Sequence, residues 1–232
     1  MSDSQPLVSA IIPVYNCDRY LKETILSVLQ QTHPPFEILV IDDGSTDNSA
    51  AVAQEFSDSI QYYSQPNQGA GTARNYGTQL AKGNYFAFLD ADDLWEKDKL
   101  TRQLQIFANR PEVDMVFGQM KNFHSPELPE SVKQQFYCPP ELIPGYHPGT
   151  LLIKREAFER VGSFDTQWKL GEFIDWYLKA MEAGLNSAML PELVLRRRIH
   201  QTNTGSRDRD FRKDYVRIVK ASLDRRRGKK QL

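Results

Sequence analysis

Short apolar runs alternate with helical patterns over the first 120 residues, and this alternation constrains the fold more than any other feature of the sequence. The runs at residues 7–12, 36–41 and 85–89 are almost continuously apolar, as expected of strands that are buried on both faces. Between them, apolar residues recur at helical spacing. Strands that alternate with helices in this way form parallel sheets. The sequence therefore predicts an α/β fold with a mostly parallel central sheet and helices on both faces.

The second half of the chain is less regular than the first. Residues 121–148 contain six prolines, which predicts a long loop that serves as a lid or an insert. Helices are predicted, over the whole chain, at 18–29, 45–56, 71–81, 98–109, 155–161 and 172–183. Further strands or extended segments are predicted at 60–63, 114–120, 150–153 and 188–199.

The charge is distributed unevenly along the chain. The formal net charge of the 232 residues is −1, so the molecule as a whole is not built to bind polyanions. Residues 207–232, however, contain eleven Lys or Arg and four Asp. Apolar residues recur in the same segment at a spacing typical of a solvated terminal helix, and a helix that lies on a membrane surface is the alternative. Because the basic charge is confined to this tail, no nucleic-acid partner is expected.

Three features of the sequence bear on the compartment. Cys17 and Cys138 lie far apart and match neither a metal site nor a disulfide framework. No apolar run approaches the roughly 18 residues that cross a bilayer. The first residues lack the positive and apolar regions of a signal peptide. We therefore expect a cytoplasmic protein, with the basic tail available for peripheral contact at the inner membrane face.

Polar segments follow three of the predicted strands, at residues 13–16, 42–45 and 90–93. The carboxyl ends of parallel strands meet at one edge of the sheet, where such folds bind their ligands. The third segment runs from an apolar strand directly into Asp90, Asp92 and Asp93. Neighbouring carboxylates repel one another unless a cation offsets their charge, and such oxygen ligands suit Mg²⁺ or Mn²⁺. Alternatively, one of them caps the following turn, but the strand-end position favours the metal site.

Two other segments of the first half are candidates for binding a phosphorylated ligand. Asp43 follows a strand, either within a turn or as a carboxylate that reaches a nucleotide. Residues 67–75 contain Gly69 and Gly71 before a predicted helix, whose N-terminus favours an anion. Their spacing does not match a Walker A loop. Arg74 in this segment either lies in solvent or faces the ligand.

Two acidic residues and a histidine in the second half are further candidates. Glu172 and Asp175 open a predicted helix three positions apart and are expected to share a face. The helix dipole favours acids there, and one of them is also placed to act as a general base for a hydroxyl. His200 follows three arginines and is either structural or a ligand of a metal or phosphate.

Four segments, taken together, resemble the family 2 glycosyltransferases of the GT-A fold. They are Ile-Ile-Pro-Val-Tyr-Asn at 11–16, Val-Ile-Asp-Asp-Gly-Ser-Thr-Asp at 40–47, residues 67–75, and Phe-Leu-Asp-Ala-Asp-Asp at 88–93. The match covers about residues 7–120 in order and spacing, and a weaker one continues through 149–165. The resemblance implies one domain in which residues 1–120 bind a nucleotide sugar and 121–206 bind the acceptor. Residues 207–232 then form a basic C-terminal helix or tail.

The resemblance also implies an activity and a set of site residues. The expected reaction is inverting transfer of a sugar, in polysaccharide biosynthesis, from a nucleotide diphosphate to a hydroxyl of a saccharide or lipid-linked acceptor. The expected cofactor is Mn²⁺ or Mg²⁺, held by Asp92 and His200. The residues implied in binding the nucleotide sugar are Pro13, Val14, Tyr15, Asp43, Asn67, Gly69, Arg74, Asp90 and Ala91.

The sequence departs from the family at the expected catalytic base. Many relatives carry Glu-Asp at the start of the acceptor helix, whereas this chain has Glu172 followed by Phe173. Glu172 is the predicted base, with Asp175 in reserve. Two other functions stay open: a nucleotidyltransferase that acts on a sugar phosphate, and a catalytically silent nucleotide-binding homologue. The sequence lacks the loop rich in glycine and arginine that a nucleotidyltransferase usually carries. Only the departure from the family at Glu172 and Phe173 supports the silent homologue.

Overall fold

The structure is a computed structural model that describes residues 6–136, 138–201, 203 and 213–229. A sheet of nine strands forms its centre. The strands are β1 (Val8–Val14), β2 (Glu37–Asp42), β3 (Gln61–Ser64), β4 (Tyr85–Phe88), β5 (Leu94–Trp95), β6 (Met115–His124), β7 (Ile143–Pro144), β8 (Leu152–Lys154) and β9 (Ser187–Ile199). The helices are α1 (Asp18–Leu29), α2 (Ser49–Gln54), α3 (Ala70–Leu80), α4 (Lys99–Asn109), α5 (Glu130–Lys133), α6 (Arg155–Val161), α7 (Glu172–Glu182) and α8 (Lys213–Lys229).

The sheet has a parallel part and a mixed part. Strands β3, β2, β1 and β4 lie side by side in this order and are parallel. Strand β8 lies between β4 and β6 and is antiparallel to both. Strand β9 then pairs with β6 in parallel and with β5 in the antiparallel sense, while β7 pairs with β6. The predicted parallel sheet is thus confirmed for the first half, and the second half extends it as a mixed sheet.

Helices cover both faces of the sheet, as predicted. On one face, α1, α2 and α4 pack against side chains such as Val8, Ala10 and Ile12 of β1. On the other face, α3, α6 and α7 pack against Ile11 of β1 and Phe88 of β4. Because successive residues of a strand point to opposite faces, a strand buried on both must be apolar throughout. This explains why the continuous apolar runs predict the strands correctly.

The predicted helix at 45–56 is wrong in its first turn, since α2 begins only at Ser49. Instead, side-chain carboxylates accept hydrogen bonds from backbone amides two or three positions later in the chain. The Ser45 amide donates to Asp42 Oδ1 at 2.8 Å, and the Ser49 amide donates to Asp47 Oδ1 at 2.9 Å. Such local bonds compete with helix formation and hold residues 43–48 as a turn.

The predicted loop at 121–148 contains more regular structure than expected. Strand β6 continues to His124 because its partner β9 is long enough to pair with it as far as Ile199. The short helix α5 and the short strand β7 follow within the same segment. Prolines therefore mark the breaks between these pieces and do not exclude them.

The C-terminal helix α8 packs on α7 along one side. Its Ile218 is fully buried. Arg225 donates to Glu182 Oε2 at 2.7 Å, and its NH1 lies 3.5 Å from Asp175 Oδ1. Gly171, directly before α7, has a φ of 87° and leaves room for Ile218 and Tyr215 of α8. The predicted basic helix is therefore present over 213–229, while residues 207–212 and 230–232 lie outside the described residues.

None of the helices within the described residues has the length and apolar character needed to span a bilayer. The cytoplasmic location stays a prediction.

The packing of α3 on the sheet predicts the effect of a single methyl group. A Cβ at Gly77 would overlap Cγ2 of Ile11 and come within 3.3 Å of Ile41 Cγ1. We expect Gly77→Ala to lower the free energy of unfolding by about 1–3 kcal/mol, as overpacking of a dense core does. Gly228→Ala in α8 is the matched control, because no described atom lies within 4 Å of its Cβ. Urea denaturation checks both; equal stabilities of the two variants would contradict the packing.

Candidate active site

A cleft of about 600 Å³ opens at the carboxyl ends of β1, β2 and β4. Its other wall is formed by residues 146–148, by the start of α7 and by residues 166–171. Twelve of the residues predicted from the sequence line it: Pro13, Val14, Tyr15, Asp43, Asn67, Gly69, Arg74, Asp90, Ala91, Asp92, Glu172 and His200. The predicted meeting of the strand ends at one edge of the sheet is therefore observed.

Asp43 organises the loop at one end of the cleft. Its Oδ1 accepts hydrogen bonds from Gln65 Nε2 at 2.7 Å and from the Gln68 amide at 2.9 Å. Its Oδ2 accepts from the Gly69 amide at 2.7 Å. The side chain of Tyr15, at the end of β1, is 43% exposed beside this loop. This end of the cleft combines an ordered backbone loop with an accessible aromatic ring.

Arg74 is a buried residue of the cleft that joins two carboxylates. Its NH2 lies 2.5 Å from Asp90 Oδ1, and its NH1 lies 2.6 Å from Glu172 Oε1. Its side chain is almost completely buried, and among the described residues its Nε has no hydrogen-bond partner. The ion pairs thus connect the end of β4 with the start of α7, which lie far apart in sequence.

These contacts shift the pKa values of both charged partners. Burial raises the pKa of Asp90, but the Arg74 guanidinium outweighs it and holds that pKa below its usual value. Burial likewise lowers the pKa of Arg74, and the charges of Asp90 and Glu172 outweigh it, so the pKa of Arg74 is raised. Both groups are therefore charged at neutral pH.

Asp92 and His200 lie against each other on the opposite side of the cleft. His200 Nε2 is 2.8 Å from Asp92 Oδ2, and Asn203 Nδ2 donates to the same oxygen at 3.2 Å. The ring of Tyr20 lies 4.7 Å from that of His200. The buried Arg198 donates from Nε to the Asp92 carbonyl at 2.9 Å. These neighbours fix the positions of both predicted metal ligands.

A second group of metal-ligand types lies beside this pair. Ligand atoms of Asp90, Asp93 and His147 all fall within 4.8 Å of one another. Burial and the charges of Asp92 and Asp90 raise the pKa of Asp93 well above its usual value. Burial also lowers the pKa of His147 to about 4, although Asp90 opposes the shift, so the imidazole is neutral near pH 7.

The chemistry of these side chains fits a hard divalent cation. Mn²⁺ and Mg²⁺ prefer carboxylate oxygens and accept imidazole, and bond these ligands at about 2.1 Å. Two ligands at right angles on such an ion are therefore about 3 Å apart. His200 Nε2 and Asp92 Oδ2 are hydrogen-bonded at 2.8 Å, so a cation held by both would take the place of the proton between them. Burial is the main cause of the raised pKa of Asp93, and the charges of Asp92 and Asp90 add to it; a cation would offset the part that comes from these charges.

Asp175 is the one predicted site residue that the structure does not bring into the cleft. Its carboxylate is 1% exposed, lies 2.6 Å from Lys179 Nζ and faces Arg225 of α8. A step of three positions along α7 offsets its side chain by about 60° from that of Glu172. Arg225 of α8 lies on that side and covers the carboxylate. The expectation that the two acids share the cleft face is therefore not met, and Asp175 anchors α8.

Several residues of the cleft were not identified from the sequence, among them His147, Trp168 and Tyr215. His147 lies in the segment predicted to be a loop, and its Nε2 is 3.7 Å from Asp90 Oδ2. No spacing rule identifies it, because its position depends on how residues 143–150 return to β6 and the end of β4. Tyr215 reaches the cleft only through the packing of α8.

Comparison with known proteins agrees with this geometry. The family described as Glycosyl transferase family 2 matches residues 9–162. An uncharacterised glycosyltransferase of Rickettsia typhi is 33% identical over 211 residues, which cover 86% of this chain and 66% of that protein. Bacillus subtilis TuaG, whose name refers to teichuronic acid biosynthesis, is 42% identical over 114 residues, covering 47% of this chain and 45% of TuaG. The chain thus spans about two thirds or less of the length of these relatives.

Solved structures agree with the fold. S. aureus TarS 1–349 in complex with UDP-GlcNAc superposes with a TM-score of 0.69 at 21% identity, covering 85% of this chain and 60% of that one. TarS 1–349 in complex with UDP gives a TM-score of 0.68 at 21% identity, covering 84% and 61%. The predicted GT-A fold is confirmed by this likeness. Since the family match extends over more than half of its residues, the chain belongs to glycosyl transferase family 2.

Proposed function

We propose that this protein transfers a sugar from a nucleotide diphosphate sugar to an acceptor hydroxyl, with inversion at the anomeric carbon and in dependence on Mn²⁺ or Mg²⁺. The observation that carries the proposal is the meeting of three groups in one cleft. These are the loop held by Asp43, the Asp92–His200 pair, and Glu172 on the facing wall. A donor lies between a cation site and a base only if all three line the same cavity.

Donor binding is assigned to the end of the cleft that the parallel strands form. The exposed ring of Tyr15 offers a surface on which a nucleotide base stacks, with Pro13 and Val14 beside it. Asn67 and Gly69 line the same end, and the N-terminus of α3 next to them favours an anion. The UDP-GlcNAc complex of TarS, which shares the fold, supports a nucleotide sugar as the donor.

The cation site is assigned to Asp92 and His200, with Asp90 and Ala91 adjoining the donor. A bound Mn²⁺ or Mg²⁺ would supply positive charge to the leaving diphosphate. Asn203 and Arg198 keep Asp92 in place by donating to its carboxylate and its carbonyl. Arg197 also lines the cleft and adds a second positive charge near the same acids.

Glu172 is assigned as the base that takes the proton of the acceptor hydroxyl. Arg74 occupies its Oε1, whereas among the described residues no hydrogen bond engages its Oε2. Oε2 is therefore the oxygen available to the acceptor. As the acceptor oxygen bonds to the anomeric carbon, the bond from that carbon to the diphosphate breaks. The electron pair leaves with the diphosphate, and the proton moves to Glu172.

The acceptor is proposed to be a saccharide, free or lipid-linked. The name of TuaG, which refers to teichuronic acid biosynthesis, supports the predicted role in polysaccharide biosynthesis. A screen of nucleotide sugars and saccharide acceptors tests the whole proposal, with release of a nucleoside diphosphate as the expected result. Release of pyrophosphate would indicate a nucleotidyltransferase instead. Nucleotide binding without turnover on any acceptor would indicate a silent homologue.

The assignment of the metal ligands predicts distinct effects of two neighbouring substitutions. Removal of divalent cations by EDTA should abolish transfer, and Mn²⁺ or Mg²⁺ should restore it. Asp92→Asn should weaken Mn²⁺ binding by more than roughly 100-fold, which exceeds the usual effect of residues that only support a ligand. Calorimetric titration of Mn²⁺ measures this, and Asp58→Asn, an exposed residue outside the cleft, is the control.

A different pattern of Mn²⁺ binding by the variants would assign the cation to other residues. If Asp92→Asn binds Mn²⁺ like wild type while Asp93→Asn does not, the cation is held by the Asp90–Asp93–His147 group instead.

The base assignment predicts different outcomes for the two acids of α7. Glu172→Gln keeps an oxygen for Arg74 but loses the basic carboxylate, so kcat should fall by roughly 10²- to 10⁴-fold with unchanged affinity for the donor. Asp175→Asn should lower the melting temperature, because it weakens the contacts to Lys179 and Arg225, and should leave kcat of the folded enzyme near wild type. Wild-type turnover by Glu172→Gln would exclude it as the base.

The two ion pairs of Arg74 predict a loss of stability that can be reversed. Arg74→Met leaves two carboxylates close together without their shared cation. Breaking a fully buried ion pair lowers the free energy of unfolding by about 3–5 kcal/mol. Because Asp90 and Glu172 are partly exposed, we expect Arg74→Met to lower it by about 2 kcal/mol. Adding Asp90→Asn and Glu172→Gln to Arg74→Met should recover most of this loss in urea denaturation. An unchanged loss in the triple variant would show that Arg74 acts through packing and not through charge.

A further inference from the structure

The C-terminal helix α8 has an inner side that is fixed to the body of the protein. Ile218 is buried next to Gly171, and Ser222 Oγ donates to Glu182 Oε1 at 2.6 Å. Arg225 pairs with Glu182 and faces Asp175, both of which belong to α7. Positions 218, 222 and 225 recur at helical spacing and define one face of the helix. The orientation of α8 relative to the cleft is therefore set by these contacts.

The opposite side of α8 carries exposed apolar residues. Val216, Val219 and Leu223 are spaced by three and four positions and lie on one outward face. Their exposures are 72%, 50% and 47%, which are high for large apolar side chains that recur along one helix. Exposed apolar residues scattered singly need no explanation, but an aligned row of them indicates a contact surface.

The same outward face is basic. Lys220 and Arg227 lie among the three apolar residues, and both are exposed without an acidic partner among the described residues. Over Lys213–Lys229 the sequence has seven Lys or Arg against two Asp, a net charge of +5. Of the two aspartates, Asp214 is buried, and Asp224 lies at the side of the face. Apolar residues flanked by basic ones complement an anionic lipid surface, where headgroups carry negative charge above an apolar layer.

The outward face leads to the mouth of the cleft. Tyr215, the residue before Val216, lines the cleft and is itself exposed. Ile174 on α7 and Tyr146, which belongs to the same wall, are also exposed and line the same cavity. These three residues lie on the side of the cleft that holds Glu172. A surface bound by α8 would therefore adjoin the side of the cleft that holds Glu172, which is called the acceptor end below.

We infer that α8 binds an anionic lipid surface through Val216, Val219, Leu223, Lys220 and Arg227, and thereby brings the acceptor end of the cleft to that surface. The acceptor class that follows is a saccharide carried on a lipid. This last step rests on the proposed function, whereas the binding of α8 to lipid does not. The two can be tested separately because lipid binding is measured without a nucleotide sugar.

Sedimentation with vesicles tests the inference on the full chain. Wild type should bind phosphatidylcholine vesicles that contain phosphatidylglycerol at low salt, and should bind less at high salt because exposed charges are then screened. It should not bind vesicles of phosphatidylcholine alone. The double variant Lys220→Gln/Arg227→Gln should bind roughly 30-fold more weakly, since each basic residue near an anionic surface contributes about fivefold.

Two further double variants sharpen the test. Val219→Ser/Leu223→Ser should also weaken binding, by roughly tenfold, through the lost apolar contact. Lys82→Gln/Arg110→Gln makes the same change of charge at exposed positions before β4 and directly after α4, outside α8, and should bind like wild type. Because all six positions are exposed or partly exposed, thermal unfolding should be unchanged in every variant.

Three results would overturn the inference. They are absence of binding to anionic vesicles at low salt, equal binding by Lys220→Gln/Arg227→Gln and wild type, and self-association without lipid that Val219→Ser/Leu223→Ser abolishes. The last result would assign the face to a second copy of the chain. Hydrolysis of a nucleotide sugar in solution should be unaffected by the α8 variants, so a failure of lipid binding leaves the proposed function intact.

Discussion

The surplus of negative charge at the carboxyl edge of the sheet is the constraint on which the rest of the structure depends. Asp90, Asp92, Asp93 and Glu172 are all held within one cleft. Carboxylates at this density are stable only where donors or cations compensate them. Arg74 compensates two of them, and the backbone amide of Arg198 donates to Asp93 Oδ1 at 2.8 Å. The Asp92 carboxylate contacts only the side chains of His200 and Asn203 among the described residues. Its negative charge is therefore the one that an added cation would offset most.

This compensation also connects the two halves of the chain. Arg74 comes from α3, which packs on the parallel part of the sheet, and Glu172 comes from α7 in the second half of the chain. His200 comes from the end of β9, far along the chain from Asp92. The site is therefore complete only when the mixed part of the sheet has assembled on the parallel part. Because these charged groups hold the two parts of the sheet together, loss of any one of them is expected to change the geometry of the cleft.

The sequence is sufficient to predict most of the parallel part of the sheet and the residues at its carboxyl edge, because local rules determine them. Continuous apolar strands predict burial on both faces, and the polar residues after each strand must then meet at one edge. The first turn of the predicted helix at 45–56 is wrong, since Asp42 and Asp47 bind backbone amides that a helix would use differently. The wall of the cleft that the second half of the chain forms depends on long-range packing. His147 reaches Asp90 from a segment without regular spacing, and Asp175 faces α8 instead of the cleft.

The helix α8 illustrates the same distinction. Its sequence indicates a basic amphipathic helix, but only the structure separates the inner face, fixed by Arg225 and Ile218, from the outward one. The role of Gly171 likewise cannot be predicted from the sequence, because the close approach of Ile218 and Tyr215 accounts for the absence of a side chain there. In each case a tertiary contact determines what the residue does. Propensity and spacing alone leave both alternatives open.

The central claim is that Glu172 and the Asp92–His200 pair carry out one in-line displacement on a nucleotide diphosphate sugar. The most direct measurement is the anomeric configuration of the first product, followed by proton NMR during turnover with Mn²⁺ and an α-linked donor. The account predicts a β-linked product from the first turnover onward, together with one nucleoside diphosphate for each sugar transferred. An α-linked first product would contradict the single displacement and the role of Glu172 as its base.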